Sequence, residues 1–141
     1  MGYVIGIDGG GTKSLLKLAD RKGNLLATCQ GGPSNIYSSS LDTVKESLGE
    51  IISEALTQAQ ISMRDIKCLC LGTAGAGRED ARQILTKILN EIGVHCHLII
   101  THDAMTALYG ALGKGEGIIL ISGTGSVCYG KKADGSYHRA G

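Results

Sequence analysis

Tyr3-Val4-Ile5-Gly6-Ile7-Asp8-Gly9-Gly10-Gly11-Thr12-Lys13-Ser14-Leu15-Leu16-Lys17-Leu18-Ala19 joins two apolar segments through a carboxylate and three glycines. The second segment alternates, so the pair reads as a β-hairpin, Tyr3 to Ile7 against Ser14 to Ala19. A strand follows the glycines where a Walker A loop or a dinucleotide fingerprint would open a helix, and both are excluded. Asp20-Arg21-Lys22-Gly23 is a second turn and Asn24 to Gln30 a third strand. The chain therefore opens as a three-stranded meander, which Gly31-Gly32-Pro33-Ser34-Asn35 ends.

Farther along, the apolar period changes. Leu41, Val44, Leu48, Ile51, Ile52, Ala55, Leu56 and Ala59 recur by threes and fours, an amphipathic helix with Ser40 as its N-cap. Ile66 to Leu71 is a buried strand running into a glycine loop. Arg78-Glu79-Asp80 opens a second helix, with acids at its positive end and Ala81, Ile84, Leu85, Ile88, Leu89 and Ile92 along its apolar face. Val94 to Ile100 is the next strand, Asp103 to Leu112 a short Ala-rich helix, and Gly117 to Ser122 with Ser126 to Tyr129 a further hairpin around Gly123-Thr124-Gly125. The order β-β-β-α-β-α-β-α, followed by a new β-β unit, implies an α/β fold: a mixed sheet with helices on its faces. The last hairpin restarts the opening pattern, which divides the chain into a domain over 1–116 and the start of a second, similar one over 117–141.

Composition narrows the partners. Fourteen Lys and Arg against thirteen Asp and Glu leave a net charge of +1 over 141 residues, without basic runs. That removes the electrostatic footprint of nucleic-acid or anionic-membrane binding, and no apolar run approaches the ~18 residues of a membrane span. With 43% hydrophobic residues, 19% charged and a mean hydropathy of +0.09, the chain folds. Twenty-two glycines, against about 10 at the usual ~7%, fall in clusters that mark tight turns or backbone near a ligand. Without Phe or Trp, the core is left to Ile, Leu, Val and Ala. An odd five cysteines and no secretory signal point to a reducing cytoplasm.

Three places can carry chemistry. Asp8 through Lys13 sets a carboxylate at a strand end before a turn whose N–H groups can hold phosphate oxygens, with the Thr12 hydroxyl and the Lys13 charge beside them. Ser122-Gly123-Thr124-Gly125-Ser126 offers the same elements, so two hairpins could grip a nucleotide's phosphates from opposite sides. Asp103 stands past a strand's carboxyl end, where it either caps the following helix or acts as a general base on a substrate hydroxyl, and both roles can coexist. His95 with His97, and Cys68 with Cys70, share strand faces and could take a soft metal, but the lack of a Cys-x-x-Cys pair argues for packing.

Asp8-Gly-Gly-Gly-Thr-Lys13, the Asn35 loop, Asp103 and Ser122-Gly-Thr-Gly-Ser126, in this order and spacing, resemble the N-acetylglucosamine kinases of the BadF/BadG/BcrA/BcrD ATPase family, within the actin/hexokinase/Hsp70 superfamily. The resemblance covers essentially the whole chain. It implies ribonuclease H-like domains, ATP and Mg²⁺ as cofactors, and phosphoryl transfer to a sugar hydroxyl. By the same resemblance Asp8 orients Mg²⁺ through water, Gly10, Gly11, Thr12 and Lys13 form the first phosphate loop, and Gly123 and Thr124 belong to the second. Asn35, Gly125 and Ser126 contact the sugar, and Asp103 is the catalytic base. Val127 stands where some kinases of this type carry a polar residue, so the exact sugar stays open. The resemblance further implies a homodimer in the full-length protein and a chain that stops at Gly141 before its adenosine pocket, hence a poor enzyme alone. Two rival readings are an ATPase activator of a 2-hydroxyacyl-CoA dehydratase or benzoyl-CoA reductase system, and a non-catalytic nucleotide or sugar sensor.

Overall fold

The computed structural model describes residues 2–20, 22–73, 76 and 78–101, together with the backbone of 117–122, 126–131 and 137–140. Strands β1 (Tyr3–Gly9), β2 (Ser14–Asp20) and β3 (Leu25–Gly31) form the meander. Helix α1 (Leu41–Ala59), a 3-10 turn (Met63–Asp65), β4 (Ile66–Thr73), α2 (Glu79–Glu91) and β5 (His97–Thr101) follow, and then β6 (Gly117–Ser122), β7 (Ser126–Lys131) and β8 (Tyr137–Ala140). The first five strands form one mixed sheet in the order β3-β2-β1-β4-β5, and the last three form another in the order β6-β7-β8.

Register fixes what lies at each edge. In β1, Asp8 faces Leu15 of antiparallel β2 on one side and Gly72 of parallel β4 on the other. Gly72 faces Thr101 of β5, also parallel. The carboxyl ends of β1, β4 and β5 therefore meet along one edge, where open α/β sheets bind ligands.

Alternation in the strands sends Ile5, Ile7, Leu16, Leu18, Ala27, Cys29, Leu69 and Leu71 to one face. Val44, Leu48, Ile51, Ile52 and Ala55 of α1 and Leu85, Ile88 and Leu89 of α2 close over them in a single cluster. Each such Leu or Ile stabilises the fold by about 1.5–3 kcal/mol relative to exposure. Both described helices thus cover the same face, and the core is aliphatic as the composition implied. Helix α1 lies close on the end of β3, because a Cβ on Gly31 would overlap the Ile51 side chain and one on Gly32 would stand 2.7 Å from Ser47 Oγ. Ser40 caps α1, its Oγ accepting the Thr43 N–H at 3.1 Å. No described helix is long and apolar enough to cross a membrane.

Several boundaries depart from expectation. The third strand begins at Leu25, because Asp20 Oδ1 accepts the N–H groups of Lys22 and Asn24, each at 2.9 Å, and holds Asn24 in the turn. Parallel pairing with β1 carries β4 on to Thr73. The fifth strand starts at His97 rather than at residue 94, since the Val94 N–H donates to Leu89 O at 2.9 Å and terminates α2. His95 therefore precedes the strand, and it shares no strand face with His97. The 3-10 turn and β8 are additions, β7 runs to Lys131, and the helix expected from Asp103 lies outside the described residues.

Candidate functional site

Asp8 is exposed at the end of β1, between buried Ile7 and Gly9, so it points away from the helix-covered face. The chain then reverses through Gly10–Lys13, with the Gly10 N–H donating to Lys13 O at 2.9 Å. That bond leaves a two-residue tip of Gly11 and Thr12. Among the described residues the N–H groups of Gly11, Thr12 and Lys13 have no acceptor, and all three residues are exposed. Three amides and a lysine on one short turn are the donor types that receive anions in turns of this kind.

Behind the turn lies a buried polar junction. Ser34 is fully buried and Ser14 and Thr73 are each 1% exposed. The Ser34 N–H donates to Gly10 O at 3.1 Å, Ser14 Oγ donates to Ser34 Oγ at 2.9 Å, and Thr73 Oγ1 donates to Ser34 O at 3.2 Å. Gly9 has no room for a side chain, because a Cβ there would overlap Ser34 Oγ. Satisfied in this way, the junction avoids the ~1–3 kcal/mol that each unpaired buried polar group would cost.

Asn35 follows immediately. Its Oδ1 accepts the Tyr37 N–H at 2.9 Å, and its carbonyl accepts from Ser38 and Ser39 at 3.3 and 3.1 Å. The side chain thus shapes a turn with its oxygen, while its NH₂ group has no partner among the described residues. The loop runs beside the glycine turn: Ser38 Oγ lies 3.5 Å from the position a Gly11 Cβ would take. On the far side of β4, Ala76 donates its N–H to Thr73 O at 3.1 Å, and Arg82 Nη1 donates to Ala76 O at 3.1 Å. Arg82 also binds Glu79 at 2.8 Å, a hydrogen bond that holds the Glu79 carboxyl below the usual carboxylate range.

The structure therefore brings together Asp8, Gly10, Gly11, Thr12, Lys13 and Asn35. Asp103, Gly123, Thr124 and Gly125 lie outside the described residues, and Ser126 is described only as backbone, paired with Ser122. Ser14, Ser34 and Thr73 were not singled out by sequence; a serine between Pro33 and Asn35 carries the signature of a turn and none of a buried clamp. Cys68 Sγ and Cys70 Sγ lie 3.9 Å apart, and among the described residues no group of three His, Cys, Asp or Glu could hold a metal ion.

Residues 5–141 match the model of the BadF/BadG/BcrA/BcrD ATPase family. An N-acetylmuramic acid/N-acetylglucosamine kinase of Clostridium acetobutylicum is 43% identical over 141 residues, all of this chain and 46% of that protein. An N-acetyl-D-glucosamine kinase of Dictyostelium discoideum is 32% identical over 97% of this chain and 46% of its own length. A solved structure from Chromobacterium violaceum, described as a candidate N-acetylglucosamine kinase, superposes with a TM-score of 0.67 at 29% identity, over 99% of this chain and 48% of that one. The chain spans about half the length of the curated relatives it matches.

Proposed function

The chain belongs to the BadF/BadG/BcrA/BcrD ATPase family, and we propose that it is part of an ATP-dependent kinase that phosphorylates N-acetylglucosamine or a related amino sugar on a hydroxyl. One observation carries the reading. Exposed Asp8 and the amides of Gly11, Thr12 and Lys13, which have no acceptor among the described residues, stand at the carboxyl edge of the parallel strands, against a loop that begins with Asn35. The identities with amino-sugar kinases support the acceptor class.

In this reading Gly10 to Lys13 hold the nucleotide phosphates from one side, and Gly123 and Thr124 from the other. Asp8 would hold Mg²⁺ through water. An exposed carboxylate at a strand end, with no three-ligand cluster among the described residues, suits an ion that takes one or two carboxylates plus substrate phosphates. When bound, the ion supplies charge neutralisation at those phosphates. Asn35, Gly125 and Ser126 orient the sugar. Asp103 takes the proton of the attacking hydroxyl while the new O–P bond forms, the bond to the terminal phosphorus breaks, and ADP leaves. Its place two residues beyond Thr101, whose strand ends level with Asp8 across β4, supports that role.

The order β3-β2-β1-β4-β5, with only β2 reversed, supports a ribonuclease H-like domain over 1–116. The β6-β7-β8 meander supports 117–141 as the opening of a second one.

Sugar-dependent ADP release by the full-length protein tests the reading. Asp103→Asn is expected to keep sugar affinity and lower kcat by about 10²–10⁴. A kcat within a few-fold of wild type makes Asp103 a helix cap, and ATP hydrolysis indifferent to sugar favours the activator-type ATPase.

A further inference from the structure

Ser34 contributes a separate polar atom to each of three segments that the sequence keeps apart. Its N–H holds the phosphate turn at Gly10, its hydroxyl accepts from Ser14 at the start of β2, and its carbonyl accepts from Thr73 at the end of β4. The next residue is Asn35, and three residues on Ser38 lies along Gly11. The segment from Ser34 to Ser38 is thus a second wall of the turn.

We propose that Ser34 is a positioning residue that holds the Gly10–Lys13 turn and the Asn35 loop in one fixed geometry; taken with the kinase reading, it couples the phosphate subsite to the sugar subsite. Ser34 touches neither ligand and acts through Gly10 and Asn35. Its full burial keeps water from competing for the three hydrogen bonds, and Gly9 packs against it with no room for a side chain between them. Because the clamp ties turn to loop, a ligand that damps the residual motion of one damps the other, and the second ligand then binds a segment already ordered.

Backbone amide exchange in the ligand-free protein tests the clamp directly. Ser34→Ala removes the hydroxyl and leaves the backbone bonds. Thr73→Val removes the bond to the Ser34 carbonyl at nearly constant shape, and Thr73→Ser retains it. Ser34→Ala and Thr73→Val are expected to speed exchange about tenfold at the hydrogen-bonded amides of both segments, Gly10 in the turn and Tyr37, Ser38 and Ser39 in the loop, with the interiors of β1 and β4 unaffected and Thr73→Ser close to wild type. Thr73→Val decides the matter alone if Ser34→Ala does not fold. Faster exchange in only one of the two segments, a fall in Tm without faster exchange, or a Thr73→Ser protein that behaves like Thr73→Val overturns the proposal.

Calorimetric titration of the same substitutions in the full-length protein with MgATP and with N-acetylglucosamine supplies the functional arm. The wild type is expected to bind each at least about fivefold more tightly in the presence of the other. In Ser34→Ala and Thr73→Val that factor is expected to approach one, and its persistence overturns the coupling. A wild type that binds neither ligand removes the kinase reading, while the exchange comparison still decides whether Ser34 holds turn and loop together.

Discussion

Ser14 and Ser34 meet hydroxyl to hydroxyl at 2.9 Å, both out of water, directly beneath the turn that follows Asp8. Two serines are a poor choice for a core on hydrophobic grounds. Their place here follows from the backbone they serve: Ser34 satisfies a turn carbonyl that no strand partner reaches, and Ser14 fixes Ser34.

Gly9 sets the tightest dimension of that junction. Gly9→Ala would drive a Cβ into Ser34 Oγ and to within 3.3 Å of Thr73 Cβ. A loss of about 1–3 kcal/mol is expected from overpacking, measured as a lower urea midpoint at unchanged m-value. A variant as stable as wild type would mean that the junction opens without strain.

Asn35 combines a turn role with the proposed sugar contact, and the two can be separated. Asn35→Asp keeps an oxygen for the Tyr37 N–H while removing the NH₂ donors. The Asp variant is expected to retain its Tm and its MgATP affinity and to bind N-acetylglucosamine about tenfold more weakly. Unchanged sugar affinity by titration would confine Asn35 to shaping the turn.

Two thiols make stability depend on alkaline pH. Burial pushes the Cys29 thiol up, helped by the charge of Glu54; burial does the same to Cys96, with Cys68 adding to it. A group whose folded pKa exceeds its unfolded value stabilises the fold below the unfolded value, about 8.5 for a thiol, and that contribution is lost as pH rises through the folded value. The urea midpoint is therefore expected to hold from pH 7 to 8 and to decline above about pH 9. In a Cys29→Ala, Cys96→Ala protein the decline should be shallower, and an identical decline in both proteins would assign it to other groups.

The meander and α1 were legible because their apolar periods of two and of three to four are local properties, and Ser40 advertised its cap. Val94 misled: a β-branched residue ahead of an apolar run reads as strand, yet its N–H is committed to ending α2. In the site, Asp8 and the glycine tip stood out by residue type. The alignment of Asp8 with Gly72 and Thr101 did not, because parallel pairing joins residues that no local pattern connects. Ser34 and Thr73 escaped for the same reason, since their roles are defined by partners 39 positions apart.

The meander closes through short turns, whereas the bond from Thr73 to Ser34 joins positions 39 apart, with α1 between them and β4 paired beside β1. Loop-closure entropy makes the first event fast and the second slow. A chain emerging from the ribosome therefore shapes the glycine turn early and latches it late. Until residue 73 arrives, the turn is a hairpin like any other, and the geometry that would let it hold a phosphate is acquired in the same step that completes the centre of the sheet.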